Sequence, residues 1–257
     1  MRSSRSSVVL VMSIVLSSVL LTGSAAFAQA DAAPMTAQQV ELACAPPPAT
    51  EEPSSHAIRI VNAQDSARRL MFTTSDLLLI DAGTNDGLQL GQRFFIRRPV
   101  VSGMSYRQHT VGTATVGWLR IVSMNHTHSL AVLDHACDAV MENDYLIPFE
   151  MPTEPTVSTK EESFEDLDFK SIARVVGGTE TRTLGAAGTF MIMDRGAEQG
   201  VAPGERFAVY RDLEETDLPL TPIGEAVVMT TAKETALVRI MRTRDAVRTG
   251  DFLVPRK

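Results

Sequence analysis

The sequence is short of the groups on which several common functions rest. Aromatic residues make up only 5% of the chain, with one tryptophan and three tyrosines. That is thin for a carbohydrate-stacking surface or a platform for single-stranded nucleic acid. Positive charge is not in excess: 24 Lys and Arg stand against 31 Asp and Glu, a net charge of −7. An acidic chain without a basic stripe is a poor nucleic-acid partner. No GK[ST] follows the glycine-rich stretches, so they do not read as a nucleotide loop. GxSxG is missing, and neither cysteine lies in a recognisable nucleophile setting. After residue 30 there is no convincing amphipathic helix and no apolar run long enough to span a bilayer.

What the chain does have begins with an export signal. Arg2 and Arg5 supply a positive start, Val8 to Leu21 an apolar run too short for a comfortable span, and Ala26-Phe27-Ala28 or Ala28-Gln29-Ala30 a small-x-small cleavage site. Residues 1–30 are therefore expected to be a signal peptide cut after Ala28 or Ala30, with an uncleaved anchor as the alternative. No cysteine stands where a lipid anchor would need one. Losing Arg2 and Arg5 moves the net charge from −7 to −9. The expected location is periplasmic or secreted. There the two cysteines, Cys44 and Cys137, permit one bridge from the N-terminal extension to the first module; two free thiols are the alternative.

The rest is organised around one stretch that occurs twice. Leu77 to Arg98 reads LLLIDAGTNDGLQLGQRFFIRR, and Phe190 to Arg211 reads FMIMDRGAEQGVAPGERFAVYR. At an offset of 113 they agree at seven of 22 positions, where chance would give about one or two. Each apolar run reads as a buried strand. Asp81, Gly83, Gly87 and Gly91, with Asp194, Gly196, Gly200 and Gly204, read as turn residues: aspartate bonds backbone amides and glycine reverses the chain. Leu88 and Val201 would plug the turn into the core. The copies also close alike: Asp138 to Pro148 and Asp245 to Pro255 agree at six of 11 positions.

The expected class is all-β: two tandem small barrel or sandwich modules of about six short strands each. The boundaries read as signal peptide 1–30, Pro-rich linker 31–55, first module 56–150, acidic linker 151–170 and second module 171–257. Consecutive prolines at Pro46 to Pro48 suggest a semi-rigid, extended spacer. The strand after each central motif is expected to open on an apolar residue and glycine, Val111-Gly112 and Ile223-Gly224. The excursions before those strands, Pro99 to Thr110 and Asp212 to Pro222, are candidate contact loops.

The two repeated signatures, DxGxxxGLxxGxRF and DAV…GD-aromatic-LxP, resemble the β-barrel repeats of uncharacterised secreted bacterial envelope proteins. Some of those carry peptidoglycan-binding LysM modules. The signatures are more distantly similar to the C-terminal domain of flagellar assembly protein T. The second copy has Val201 where the pattern has Leu, and the first has Asn143 where the second has Gly250. The resemblance covers roughly residues 57–257 and implies a non-catalytic envelope module; no LysM module is evident here, and no binding residue carries over.

Chemical candidates are few. His126 and His128 with Asp134 could make a His/His/carboxylate metal site beside His135, as a metal-dependent hydrolase would need. Asn125 to Thr127 nevertheless reads as a hairpin turn, so no metal site is expected. Asp81 with Asp144, or Asp194 with Asp251, could form carboxylate pairs for acid–base work, but each lies where a strand meets a turn and caps amides. Trp118 reads as core more than contact. The sequence therefore points to a non-enzyme without cofactor. It would be an exported envelope scaffold whose partner is an envelope protein or a cell-wall component, with a peptidoglycan-binding module as the alternative.

Overall fold

The computed structural model describes residues 34–50, 52–64, 69–102, 109–157, 168–178, 182–213 and 219–256. The expected signal peptide lies outside the described residues, as does most of the acidic half of the expected second linker. Among the described residues no helix is long and apolar enough to cross a membrane.

The chain is mostly β. One helix, α1 (Ala37–Cys44), precedes a first sheet of β1 (Ile60–Ala63), β2 (Leu77–Ile80), β3 (Arg93–Ser102), β4 (His109–Met124), β5 (Ser129–Ala136) and β6 (Tyr145–Pro148). A second set follows: β7 (Ala173–Gly178), β8 (Leu184–Gly185), β9 (Phe190–Met193), β10 (Arg206–Arg211), β11 (Thr221–Thr231), β12 (Ala236–Thr243), β13 (Val247–Arg248) and β14 (Phe252–Pro255). The first sheet runs β1-β2-β5-β4-β3-β6. In the second, β7-β9-β12-β11-β10-β14 is a closed barrel, with β8 and β13 paired beside it. The strand order is the same in both. The first sheet's outer strands also meet, through an Arg59–Tyr145 bridge and the bonds Ile60 N–H to Asp144 O (3.0 Å) and Leu146 N–H to Ile58 O (2.9 Å).

Alternation along the strands builds the cores. In β5, every second residue from Ser129 to Leu133 is buried, as period-two side chains require. The first core gathers Ile60, Leu78, Ile80, Phe94, Ile96, Leu119, Ile121 and Leu133. The second gathers Val175, Met191, Met193, Phe207, Val209, Val228, Val238, Ile240 and Leu253. Leu88 and Val201 are buried, so each turn does plug into its core.

The repeated corner has one geometry in both places. Asp81 and Asp194 end β2 and β9, and a 3-10 turn follows at Thr84–Asp86 and Ala197–Gln199. The turn amides dock on the next hairpin: Thr84 and Asn85 donate to the carbonyls of Asn125 and His126, and Ala197 and Glu198 to those of Ala232 and Lys233, at 2.8–3.1 Å. The glycines serve different ends. At Gly83 and Gly196 a β-carbon would lie 2.5 and 2.4 Å from the hairpin carbonyl oxygens of Asn125 and Ala232. At Gly87 and Gly200 there is room for one, but φ is +82° and +83°, a conformation that costs other residues strain.

Two sequence expectations change. The stretch read as a spacer contains α1, nucleated by a capping box in which Thr36 Oγ1 accepts from Gln39 N–H (3.1 Å) and Gln39 Oε1 from Thr36 N–H (2.9 Å). T-x-x-Q before an apolar stretch is the signal that announced it; Pro46 ends it. Second, Ile223-Gly224 corresponds to Val116-Gly117, not to Val111-Gly112. Gly117 opposes Ile96 and Ala136 as Gly224 opposes Val209 and Thr243. Both lack a side chain because the carbonyl oxygen of His135 or Arg242 would be 2.3 or 2.4 Å from it, whereas Gly112 has open space. The offset thus falls from 113 to 107, and the first excursion is six residues longer, with β3 and β4 running on into it as a paired ribbon. Residues 103–108 and 214–218 lie outside the described residues.

Gly196→Ala drives a β-carbon into backbone and should cost about 3 kcal/mol or more, whereas Gly200→Ala carries only the strain of its φ, about 1 kcal/mol. Urea unfolding of the two variants checks the order; equal losses would refute the distinction.

Candidate functional site

The residues singled out as chemical candidates are occupied with backbone and with arginine. Asp81 Oδ1 accepts from Arg59 N–H at 2.6 Å, and Asp194 Oδ1 from Arg174 N–H at 2.7 Å. Each aspartate so fastens the strand that enters the sheet. Asp144 and Asp251 are held elsewhere. Arg98 grips Asp144 through Nε and Nη2, both at 2.7 Å, and donates to Ala139 O. Arg211 grips Asp251 at 2.9 and 2.7 Å and donates to Ala246 O. The other side of each carboxylate takes an amide, Met141 N–H at 2.8 Å or Arg248 N–H at 2.7 Å. Bonding to the carboxylate raises the pKa of both guanidinium groups. The alternative of Asp81–Asp144 and Asp194–Asp251 carboxylate pairs is not met: Asp81 and Asp194 cap amides, as their turn positions suggest, and Asp144 and Asp251 enter arginine–aspartate forks. Each fork joins the last residue of one repeated signature to the aspartate of the other.

The histidine cluster does not converge. His126 and His128 sit on the turn between β4 and β5, where Nδ1 of each pairs with a threonine hydroxyl: Thr84 at 3.3 Å and Thr127 at 2.9 Å. Asp134 faces Arg120 and Arg93 instead. His135 stacks on Trp118, with ring centroids 4.5 Å apart and 17° between planes.

Trp118 marks the face that organises the N-terminal segment. It packs with Phe95, Phe149 and Ala43 of α1. Cys44 and Cys137 are bridged there, their Cα atoms 5.5 Å apart, a link between residues 93 apart in sequence of a kind worth about 2–4 kcal/mol. The other side of α1 meets the barrel: Leu42 and Ala45 pack with Phe190, Val227, Met229 and Leu237. Thr115 donates to Ala45 O at 2.8 Å, and Thr235 to Pro48 O at 2.6 Å. The segment read as a linker is a wedge touching both sheets. An eight-residue helix is marginal alone, so these contacts and the disulfide hold it.

In the barrel the same face is ionic. Trp118, His135 and Phe149 give way to Glu225, Arg242 and Arg256. Glu225, buried at 6% exposure, accepts from Arg242 at 2.8 and 2.5 Å, Arg256 at 2.8 Å and Arg206 at 3.2 Å. Burial pushes its carboxyl up; the bond from Arg242 and the charges of the three arginines outweigh this and hold it below the ordinary 4.5. Sequence alone hid this set because its members are spread over 50 residues, and all but Arg206 match ring-bearing residues of the first sheet's part of the chain.

Between the sheets, beside the polyproline run, lies a cleft of about 410 Å³, the size of a small-ligand site. Pro47, Thr113, Gly177, Thr183 and Thr249 line it, and Arg182 is its one charged side chain among the described residues.

Neither the known protein-family models nor the curated proteins contain a match to this chain.

The forks and the ionic cluster yield two expectations. Asp251→Asn removes the charge from the fork and leaves Arg211 with Asp245, whose carboxylate is exposed, and should cost about 2–3 kcal/mol; a loss below about 1 kcal/mol in urea unfolding would contradict the role given to the fork. Glu225 has a lowered folded-state pKa, so its contribution is present above the ordinary value and lost as pH falls through the folded one. Glu225→Gln should therefore flatten the decline of Tm below about pH 4.5; an unchanged acid slope would count against it.

Proposed function

We propose that this protein is a non-catalytic, exported scaffold of the cell envelope, made of two copies of one β module and acting by binding other envelope components. The observation that carries this reading is the use made of the repeated polar residues. Asp81, Asp144, Asp194 and Asp251 are each committed to amides or arginines that hold strands together, so the signature is accounted for by architecture. The disulfide supports an oxidising compartment, and the export signal read from residues 1–30 makes that compartment the periplasm or the exterior. The matching strand orders and corner bonds support duplication, with the modules at 56–150 and 171–257. The resemblance to secreted envelope repeats is in keeping with this.

The excursions Pro99 to Thr110 and Asp212 to Pro222 are the proposed contact loops, because they rise from paired strands that fix their bases. A second reading, a module for a small cell-wall ligand, is favoured by the 410 Å³ cleft; sedimentation with purified peptidoglycan separates it from protein binding.

Replacing both excursions with short Gly-Ser turns should abolish partner capture in intact-cell cross-linking while leaving Tm within a few degrees of wild type. Unchanged capture would reject the loops as the contact, and absence of any cross-linked envelope component with the intact protein would reject the scaffold reading.

A further inference from the structure

Cys44, His135 and Cys137 form the only trio of potential metal ligands among the described residues, with one ligand atom from each lying within 4.8 Å of the others. The trio has no equivalent in the barrel, where Arg242 and Arg244 stand at the positions of His135 and Cys137. His135 is not free to swing: its ring is stacked on Trp118, which is buried. All three ligand residues are half-buried, so small solutes reach them. In the oxidised protein both sulfurs are spent on each other, and the imidazole alone is a weak site.

We infer that opening the Cys44–Cys137 bridge converts this corner into a Cys2His site for a borderline-soft divalent ion of the zinc class. The step balances with a dithiol as reductant. It gives up two electrons and two protons and closes to its own disulfide, the Sγ–Sγ bond breaks, and Cys44 and Cys137 become thiols. The metal then displaces both thiol protons and binds two thiolates and one ring nitrogen. The thiolates neutralise the charge of the ion, and the fourth position stays open to water. Two thiolates on one tetrahedral zinc, with Zn–S bonds of about 2.3 Å, sit about 3.8 Å apart. The Cα separation of 5.5 Å allows that spacing with side-chain rotation alone. In this state coordinate bonds take over from the covalent one, and α1 stays on the Trp118 face.

Cobalt(II) is the probe, added to purified protein before and after reduction with a dithiol that is then removed under argon. Reduced protein should take up one equivalent and develop a thiolate-to-cobalt charge-transfer absorption. Oxidised protein should develop none. His135→Ala and the bulkier His135→Gln should each weaken uptake by the reduced protein about tenfold or more, while their oxidised forms stay folded with only the small drop in Tm that loss of the Trp118 stack brings. Cobalt should also raise the Tm of the reduced wild type. No charge-transfer absorption in reduced wild type, or unchanged affinity in both His135 variants, overturns the proposal. Because no partner enters the measurement, its failure leaves the scaffold reading standing, and failure of partner capture leaves the metal site standing.

Discussion

The structure depends first on the fork between the arginine that closes the glycine-rich signature and the aspartate near the end of each sheet. Arg98 with Asp144, and Arg211 with Asp251, join residues 46 and 40 apart in sequence. They sit where the strand after the corner must lie against the last strand of the sheet. A bidentate grip fixes both distance and angle, and the amides of Met141 and Arg248 satisfy the rest of each carboxylate. With desolvation offset in this way, a buried charge pair becomes a registration device. Asp81 and Asp194 perform the companion task at the other end by fastening the entering strand. The ring of strands is thus secured at its seam by two carboxylates, one paired with charge and one with backbone.

The two sheets share this frame but not their outer faces. Across aligned positions the first sheet offers Trp118, Phe95 and Phe149 to α1, while the barrel offers Glu225 among three arginines. One face buries apolar surface, which is non-directional and suits a small helix. The other is a directional ionic cluster partly open to water. Like strand orders with divergent faces give the helix one correct seat, since its Ala43 and Cys44 side would meet charge on the barrel's equivalent face.

Much of this was legible beforehand. The corners, the buried Leu88 and Val201, the hairpin at Asn125 and the general run of strands follow from local chemistry, and local chemistry is written in adjacent residues. The forks were half legible. Both partners belonged to repeated signatures, but the carboxylates invited pairing with each other, and only topology brings arginine to them. The Gly112 alignment went astray because an apolar-glycine pair is common; what marks the true equivalent is the carbonyl facing Gly117, a contact made across strands. Helix α1 was hidden by the prolines behind it, although Thr36 and Gln39 carried its start signal. The Glu225 cluster was invisible because its arginines come from β10, β12 and the residue just past β14.

The wedge has a consequence for how a chain emerging N-terminus first must assemble. Helix α1 is made before both sheets, yet its apolar partners Phe190, Val227, Met229 and Leu237 come some 150 to 200 residues later. Until they arrive, half of its contact surface has nothing to rest on, and it is held by the Trp118 face, the Thr115 bond to Ala45 and the sulfur link to Cys137. The disulfide suits a placeholder in time: formed first, it would park α1 on the first sheet until the barrel, which follows it in the chain, closes over it.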